Sequence, residues 1–236
     1  MTIDYTSLYR SIGYHFNNEA LITQALTHRS KQKQHNERLE FLGDSILGFV
    51  IAKALYQKFP HEDEGSLSLL RMYLVRGKTL TDMAKHFDLG EYMSFGVGEL
   101  KSGGHKRARL LEDAFEALIG AIYLDSDMLV VKERILHWFK DVLATLNVEE
   151  HTKDPKSRLQ EYLQAEIQTH PIYSIIATEG LDHDQTFTVE VSLGSLEHSY
   201  RAKGKSRKQA EHNAAKEALK AIKAQDQQNK QNKQDQ

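Results

Sequence analysis

The sequence predicts two domains: an all-α domain over residues 1–147, then an α+β domain over 154–224 in the order α-β-β-β-α. Three observations carry this prediction. From Asn18 to Leu146 apolar residues recur at three- and four-residue spacing, almost without strand signals. Around residue 147 the short polar run "NVEEHTKD" breaks that pattern, which makes 148–153 a linker. Beyond Pro171 come three runs rich in β-branched and aromatic residues, separated by turn residues.

Taken in order, the spacing predicts helices over about 18–27, 37–58, 64–75, 78–86, 109–125 and 128–146. Pro60 cannot continue the second of these. Gly77 and Gly90 stand where C-terminal caps belong, and the glycine-rich segment Ser94 to His105 reads as a loop. Asp154-Pro155 offers an N-cap and a first-turn proline for a helix reaching about Ile167. "IYSIIATEG", "QTFTVEVSLG" and "EHSYRAKGK" then read as strands, and an alanine-rich helix runs from about Ser206 to Lys223. The tail 225–236, "QDQQNKQNKQDQ", has no apolar residue and is expected to be disordered.

Composition excludes several classes. There is no cysteine, so disulfides and thiolate metal sites are ruled out, in keeping with a cytoplasmic setting. No stretch approaches the roughly 18 apolar residues of a membrane span, and no secretory signal is visible at the N-terminus. Net charge is −2. Residues 151–236 hold 13 Lys and Arg against 12 Asp and Glu, the remainder 18 against 21. Any nucleic-acid contact must therefore come from a local cationic cluster rather than bulk charge.

The stretch "NERLEFLGDSILGFV" places Glu37, Glu40 and Asp44 within about 60° of a helical wheel, on a stripe continued by Leu47 and Ile51. "LLEDAFEALIGAIYLD" repeats the device: Asp113 and Glu116 share a stripe with Ala117 and Gly120. Small residues, Gly43 among them, would let the two helices approach and bring four carboxylates together. Such a group requires a compensating cation. An all-oxygen donor set selects a hard ion, Mg²⁺ with Mn²⁺ as substitute. For Glu37 and Glu64 an ordinary role at a helix N-terminus is the competing explanation.

"ERLEFLGDSIL" closely resembles the nine-residue motif of the ribonuclease III family. "ALTHRS" (25–30), "DEG" (63–65), "LVRG" (74–77), "GELKSGG" (98–104) and "DAFEALIGAIYLD" (113–125) agree with it in order and spacing. The likeness spans nearly the whole chain, the C-terminal pattern resembling a double-stranded-RNA-binding domain. It implies a homodimer formed through the catalytic domain and a Mg²⁺-dependent endoribonuclease. A metal-activated water would attack the phosphodiester, leaving 5′-phosphate and 3′-hydroxyl ends with short 3′ overhangs. It also implies substrates among ribosomal RNA precursors and structured messenger RNAs. Glu40, Asp44, Asp113 and Glu116 match the family's metal ligands, with Asp44 and Glu116 catalytic. Glu37 and Glu64 match auxiliary acids, Glu64 one that reaches toward the partner subunit's site. The chain departs from the pattern at "RLLED", where Ser-Ile-Leu-Ala-Asp is usual: Arg109 replaces the serine, and Glu112 is an additional acid.

Lys205, Arg207 and Lys208 open the last helix, where cations and the helix dipole suit phosphate, although a solvated basic turn would look the same in isolation. By resemblance, Gln160 and His183 would enter successive minor grooves of duplex RNA. A non-cleaving double-stranded-RNA-binding protein on the same fold is the alternative, weakened by the presence of all four proposed ligands. A di-metal redox bundle lacks its Glu-x-x-His pairs.

Overall fold

The structure, a computed structural model, describes residues 3–181, 184–194 and 196–234, with side chains described as far as Ala224 except at 196–197. The chain divides into two compact units, Met1–His151 and Thr152–Gln236. The first is all helical: α1 (Thr6–Ile12), α2 (Glu19–Ala25), α3 (Glu37–Lys58), α4 (Glu64–Leu74), α5 (Lys78–His86), α6 (Leu89–Tyr92), α7 (Val97–Lys101), α8 (Ala108–Asp125), α9 (Met128–Trp138), α10 (Lys140–Thr145) and α11 (Val148–Thr152, reaching one residue past the boundary). The second contains α12 (Pro155–Ile167), β1 (Ile172–Glu179), β2 (Thr186–Leu193), β3 (Leu196–Gly204) and α13 (Arg207–Gln234). The predicted fold class is the one observed.

Local chemistry sets the helix starts that matter for the site. Asp63, in extended conformation, caps α4 by accepting the Ser66 N–H at 2.7 Å. Asp127 does the same for α9, accepting the Leu129 and Val130 amides. α3 carries Glu37 and Glu40 in its first turn and Lys58 in its last, matching the macrodipole at both ends. Its entry is anchored by the buried Asn36, whose N–H donates to the Thr27 carbonyl.

The core of the first unit lies along the crossing of α3 and α8. Leu39, Ile46, Leu47, Val50 and Ile51 of α3 meet a face of α8 that is buried without break from Ala114 to Ile122. The two backbones touch. A Cβ added at Gly43 would stand 1.7 Å from the Glu116 carbonyl oxygen, and one at Gly120 would stand 2.3 Å from that of Leu39. Only glycine permits this approach.

In the second unit β1, β2 and β3 form an antiparallel sheet in that order, with a bulge between Ile175 and Ala177. Val189, Val191 and Leu193 of β2 point toward α12 and α13. There they meet Leu159, Leu163 and the alanine stripe 210, 214, 215 and 218, small enough to seat α13 close to the sheet.

The structure departs from the sequence-based expectations at several points. The α1 helix lies outside the expected set, because its seven residues offer only Leu8, Tyr9 and Ile12 as an apolar period, too short to stand out. The expected loop 94–105 holds α7 and the start of a 3₁₀ turn at Gly104–Lys106. The expected helix 128–146 is broken at Phe139 into α9 and α10. Gly77 does not close α4, which ends on Val75; it begins α5 at φ 58° and ψ −122°. The 148–153 segment contains α11, and helix continues through Gln234 instead of ending near Lys223. Gln, Lys and Asn offer no breaker there, and Gln and Lys are good helix formers.

Candidate functional site

Three carboxylates from two helices converge where α3 crosses α8. One oxygen each of Glu40, Asp113 and Glu116 lies within 4.8 Å of the others. Glu40 and Asp113 are half-buried, and Glu116 is only 8 % exposed. The position of Glu116 is inherited from the glycine contact: its own carbonyl is the atom that meets Gly43, so its side chain leaves the backbone at the tightest point of the crossing.

The electrostatics of this cluster are unbalanced. Burial, reinforced by the charges of Asp44, Glu112, Glu40 and Asp113, pushes the Glu116 carboxyl up to about 8. Burial and then Asp113 and Glu37 raise Glu40, with Arg109 opposing. Burial also raises Asp113, against Arg109 and with Glu112. The strongest charges acting on Glu116 are all negative, so the protein itself does not neutralise it. An all-oxygen, half-enclosed set of acids in this condition suits a hard divalent cation.

The other anticipated residues are distributed around this centre. Asp44 lies one turn beyond Glu40 on α3, exposed and outside the 4.8 Å cluster, yet its charge acts on Glu116 more than any other. Glu37 is exposed at the helix start and paired with Arg29 at 3.1 Å. Glu64 is not brought to the cluster: it opens α4, accepts the Ser68 hydroxyl at 2.8 Å, and lines a groove with Ala52 and Tyr56, three turns or more along α3 from Glu40. The ring of His28 in "ALTHRS" shares a hydrogen bond with Ser30 at 2.8 Å, and the His28 backbone N–H donates to the Ser94 carbonyl. Sequence reasoning left Arg109 and Glu112 without roles. Arg109 is the cation whose charge opposes the rise of Glu40 and Asp113, and Glu112 accepts the Gly77 N–H at 2.8 Å.

In the second unit Gln160 is exposed on α12, and Lys205, Arg207 and Lys208 are exposed at the entry to α13. Lys205 pairs with Asp184 at 2.6 Å, and Arg207 pairs with Glu211 at 2.8 Å. Lys208 enters no ion pair among the described residues. Glu211 is 8 % exposed and also takes Lys156 at 2.6 Å; these hydrogen bonds, Lys156 first, hold its carboxyl below the usual range. His183 lies outside the described residues.

Residues 18–143 match the Ribonuclease-III-like family, and residues 155–222 match the Double-stranded RNA binding motif. The Ribonuclease 3 of Buchnera aphidicola subsp. Schizaphis graminum is 52 % identical over 208 residues, 88 % of this chain and 92 % of the relative. That of Francisella philomiragia is 52 % identical over 220 residues, covering 93 % and 95 %. Among solved structures, the nuclease domain of ribonuclease III from Campylobacter jejuni matches with a TM-score of 0.59 at 36 % identity, over 62 % of this chain and all of that one. With both segments matched in order and half the residues shared along nearly the full length, the chain belongs to the ribonuclease III family of endoribonucleases.

Proposed function

We propose that this chain is a Mg²⁺-dependent endonuclease of double-stranded RNA in which Glu40, Asp113 and Glu116 hold the cation and Asp44 and Glu116 are catalytic. The convergence of three carboxylate oxygens within 4.8 Å, around a buried Glu116 that enters no ion pair among the described residues, carries this reading. When bound, the ion lowers the pKa of water and offsets charge on the phosphate and leaving oxygen, with Mn²⁺ able to replace Mg²⁺.

The side chains do the rest. Glu116, whose carboxyl is raised by burial and its acidic neighbours, would hold the cation as the carboxylate, so that binding would be linked to loss of its proton. Asp44, on the solvent side of the cluster, orients the attacking water by accepting its hydrogen bond. Water oxygen joins phosphorus as the bond to the 3′-oxygen breaks. The attacking water releases a proton to solvent and the 3′-oxygen takes one up from it, so that one product end carries a 5′-phosphate and the other a 3′-hydroxyl. Arg109 and Arg29 keep the rim from being wholly anionic.

The second unit supplies duplex recognition through Gln160, His183, Lys205, Arg207 and Lys208, by shape and phosphate contact rather than base reading. Two such chains form a homodimer through the nuclease domain, one cut per strand, leaving short 3′ overhangs. Exposed apolar residues support this: Phe41, Phe49 and Tyr56 on α3 are 77 %, 59 % and 72 % exposed, and Met72 on α4 is 50 % exposed. Glu64 in this arrangement reaches toward the partner's site. Substrates include ribosomal RNA precursors and structured messenger RNAs, met in the cytoplasm; no described helix is long and apolar enough to cross a membrane.

The test is a labelled RNA duplex incubated with the protein and Mg²⁺, with and without chelator. Metal-dependent cutting to 5′-phosphate ends is expected. Retention of the duplex without cutting would identify a binding protein instead.

A further inference from the structure

Between α3 and α4 lies a groove of about 610 Å³ lined by Asp44, Arg71 and Arg76, and also by the apolar Phe49 and Met72 that belong to the dimer contact proposed above. Asp44 is the only carboxylate among the described residues that line it. Arg71 and Arg76 are both exposed, and neither enters an ion pair among the described residues. Two guanidinium groups that enter no ion pair among the described residues, on the same groove as Asp44, have the chemistry to hold an anion. Arginine matches phosphate geometry with paired donors.

Arg76 sits in a turn that is fixed on both sides. Val75 before it is buried at 7 % exposure, and Gly77 after it donates its N–H to Glu112 Oε1 at 2.8 Å. Gly77 has a positive φ that other residues rarely adopt, and no side chain caps the helix it starts. Further hydrogen bonds secure the neighbouring backbone: Thr79 Oγ1 donates to the Tyr73 carbonyl at 2.8 Å, and Thr81 Oγ1 donates to the Ala108 carbonyl at 3.3 Å. Glu112 is thus the side chain that ties the α4–α5 turn directly to α8, one residue before Asp113 and one turn before Glu116.

We propose that Arg76 binds a backbone phosphate of the RNA strand lying across Asp44, and that Glu112 is a positioning residue that holds the turn presenting it. This rests on the duplex-cleaving reading above. It gives the extra acid of "RLLED" a task other than metal ligation, because its Oε1 is engaged with the Gly77 amide. Phosphate contacts of this kind fix where a strand lies without reading its bases.

The experiment compares the full chain with Arg76→Ala, Glu112→Ala, Glu112→Gln and the Arg76→Ala/Glu112→Ala pair. It reads KM and kcat for a duplex in Mg²⁺ over a salt series, exchange of the Gly77 amide, and sedimentation. Loss of one charge-assisted phosphate contact should raise KM about tenfold in Arg76→Ala, with most of the loss in KM rather than kcat, and flatten the salt dependence. Glu112→Ala should raise KM in the same direction and speed Gly77 exchange. Glu112→Gln, whose amide oxygen still accepts the bond, should restore both. The double variant should be no worse than Arg76→Ala alone, since the two residues act in series.

Unaltered KM in Arg76→Ala overturns the proposal, as does a Glu112→Gln variant as impaired as Glu112→Ala. A KM change in Arg76→Ala that merely tracks dissociation of a dimer also overturns it. If the unsubstituted chain fails to cut duplex with Mg²⁺ present, the function reading fails, and this inference with it. If it cuts and these variants are unaffected, the inference alone fails.

Discussion

Glu116 of α8 and Glu211 of α13 are equally buried, each 8 % exposed, but their surroundings are opposite. Glu211 is held between Lys156 and Arg207 at 2.6 and 2.8 Å. Glu116 faces Glu40, Asp113, Asp44 and Glu112. The first is a carboxylate whose desolvation is offset within the protein, so it is a piece of structure. The second enters no ion pair among the described residues and is ringed by like charges, the condition in which a buried acid is stabilised by an added cation. Burial alone does not separate a structural acid from a functional one; the sign of its neighbours does.

The most severe way to break this contrast is to move the backbone under Glu116. Gly43→Ala forces a methyl into the Glu116 carbonyl and should cost about 3 kcal/mol or more. That would lower the melting temperature of the first unit by roughly 6–12 °C, with the second unit's transition unchanged in calorimetry. Next in size is Glu116→Gln, expected to keep duplex binding while lowering kcat at least about 100-fold, read from cleavage and gel retention in parallel. Unchanged turnover would remove Glu116 from the site.

The two glutamates should also respond to pH with opposite sign. The Glu116 carboxyl stands at about 8 in the folded chain against 4.5 for the free side chain. Its contribution to the stability of the metal-free protein is therefore whole below 4.5 and lost as pH rises toward 8. Glu211 is held below 4.5, so its contribution is present above that value and lost on acidification. The difference in melting temperature between the unsubstituted chain and Glu116→Gln, without metal, should fall from pH 5 to 8. That against Glu211→Gln should fall below pH 4.5. Adding Mg²⁺ at pH 8 should reverse the first trend only. The smallest effect is expected from Lys208→Ala, which should lower the salt slope of duplex binding by about one.

How legible this was from sequence depended on how local the determinant is. Glu40, Asp113 and Glu116 could be paired before any coordinates, because carboxylates on an apolar stripe beside Gly43 and Gly120 leave few other arrangements. The bounds of α3 and α5 were equally readable, their apolar period being long or their ends well marked. Gly77 was misread as the end of α4 because its purpose, a positive φ secured by Glu112, depends on a residue 35 positions away. Glu112 was visible as an extra acid, but its partner is a backbone N–H, which no side-chain pattern reveals. The pairing of Arg207 with Glu211 was obscured for a different reason: a basic turn reads alike whether its cations are committed or free.

The glycine crossing has a consequence for how this chain can vary. Gly43 registers on the carbonyl of Glu116, and Gly120 on the carbonyl that precedes Glu40, so each glycine gauges the backbone of the opposite acid. The separation of the acids is therefore set by main chain against main chain. A leucine-for-isoleucine exchange elsewhere in the core puts no atom into that contact. The spacing of the three acids is thereby uncoupled from the side-chain packing of the core that surrounds it.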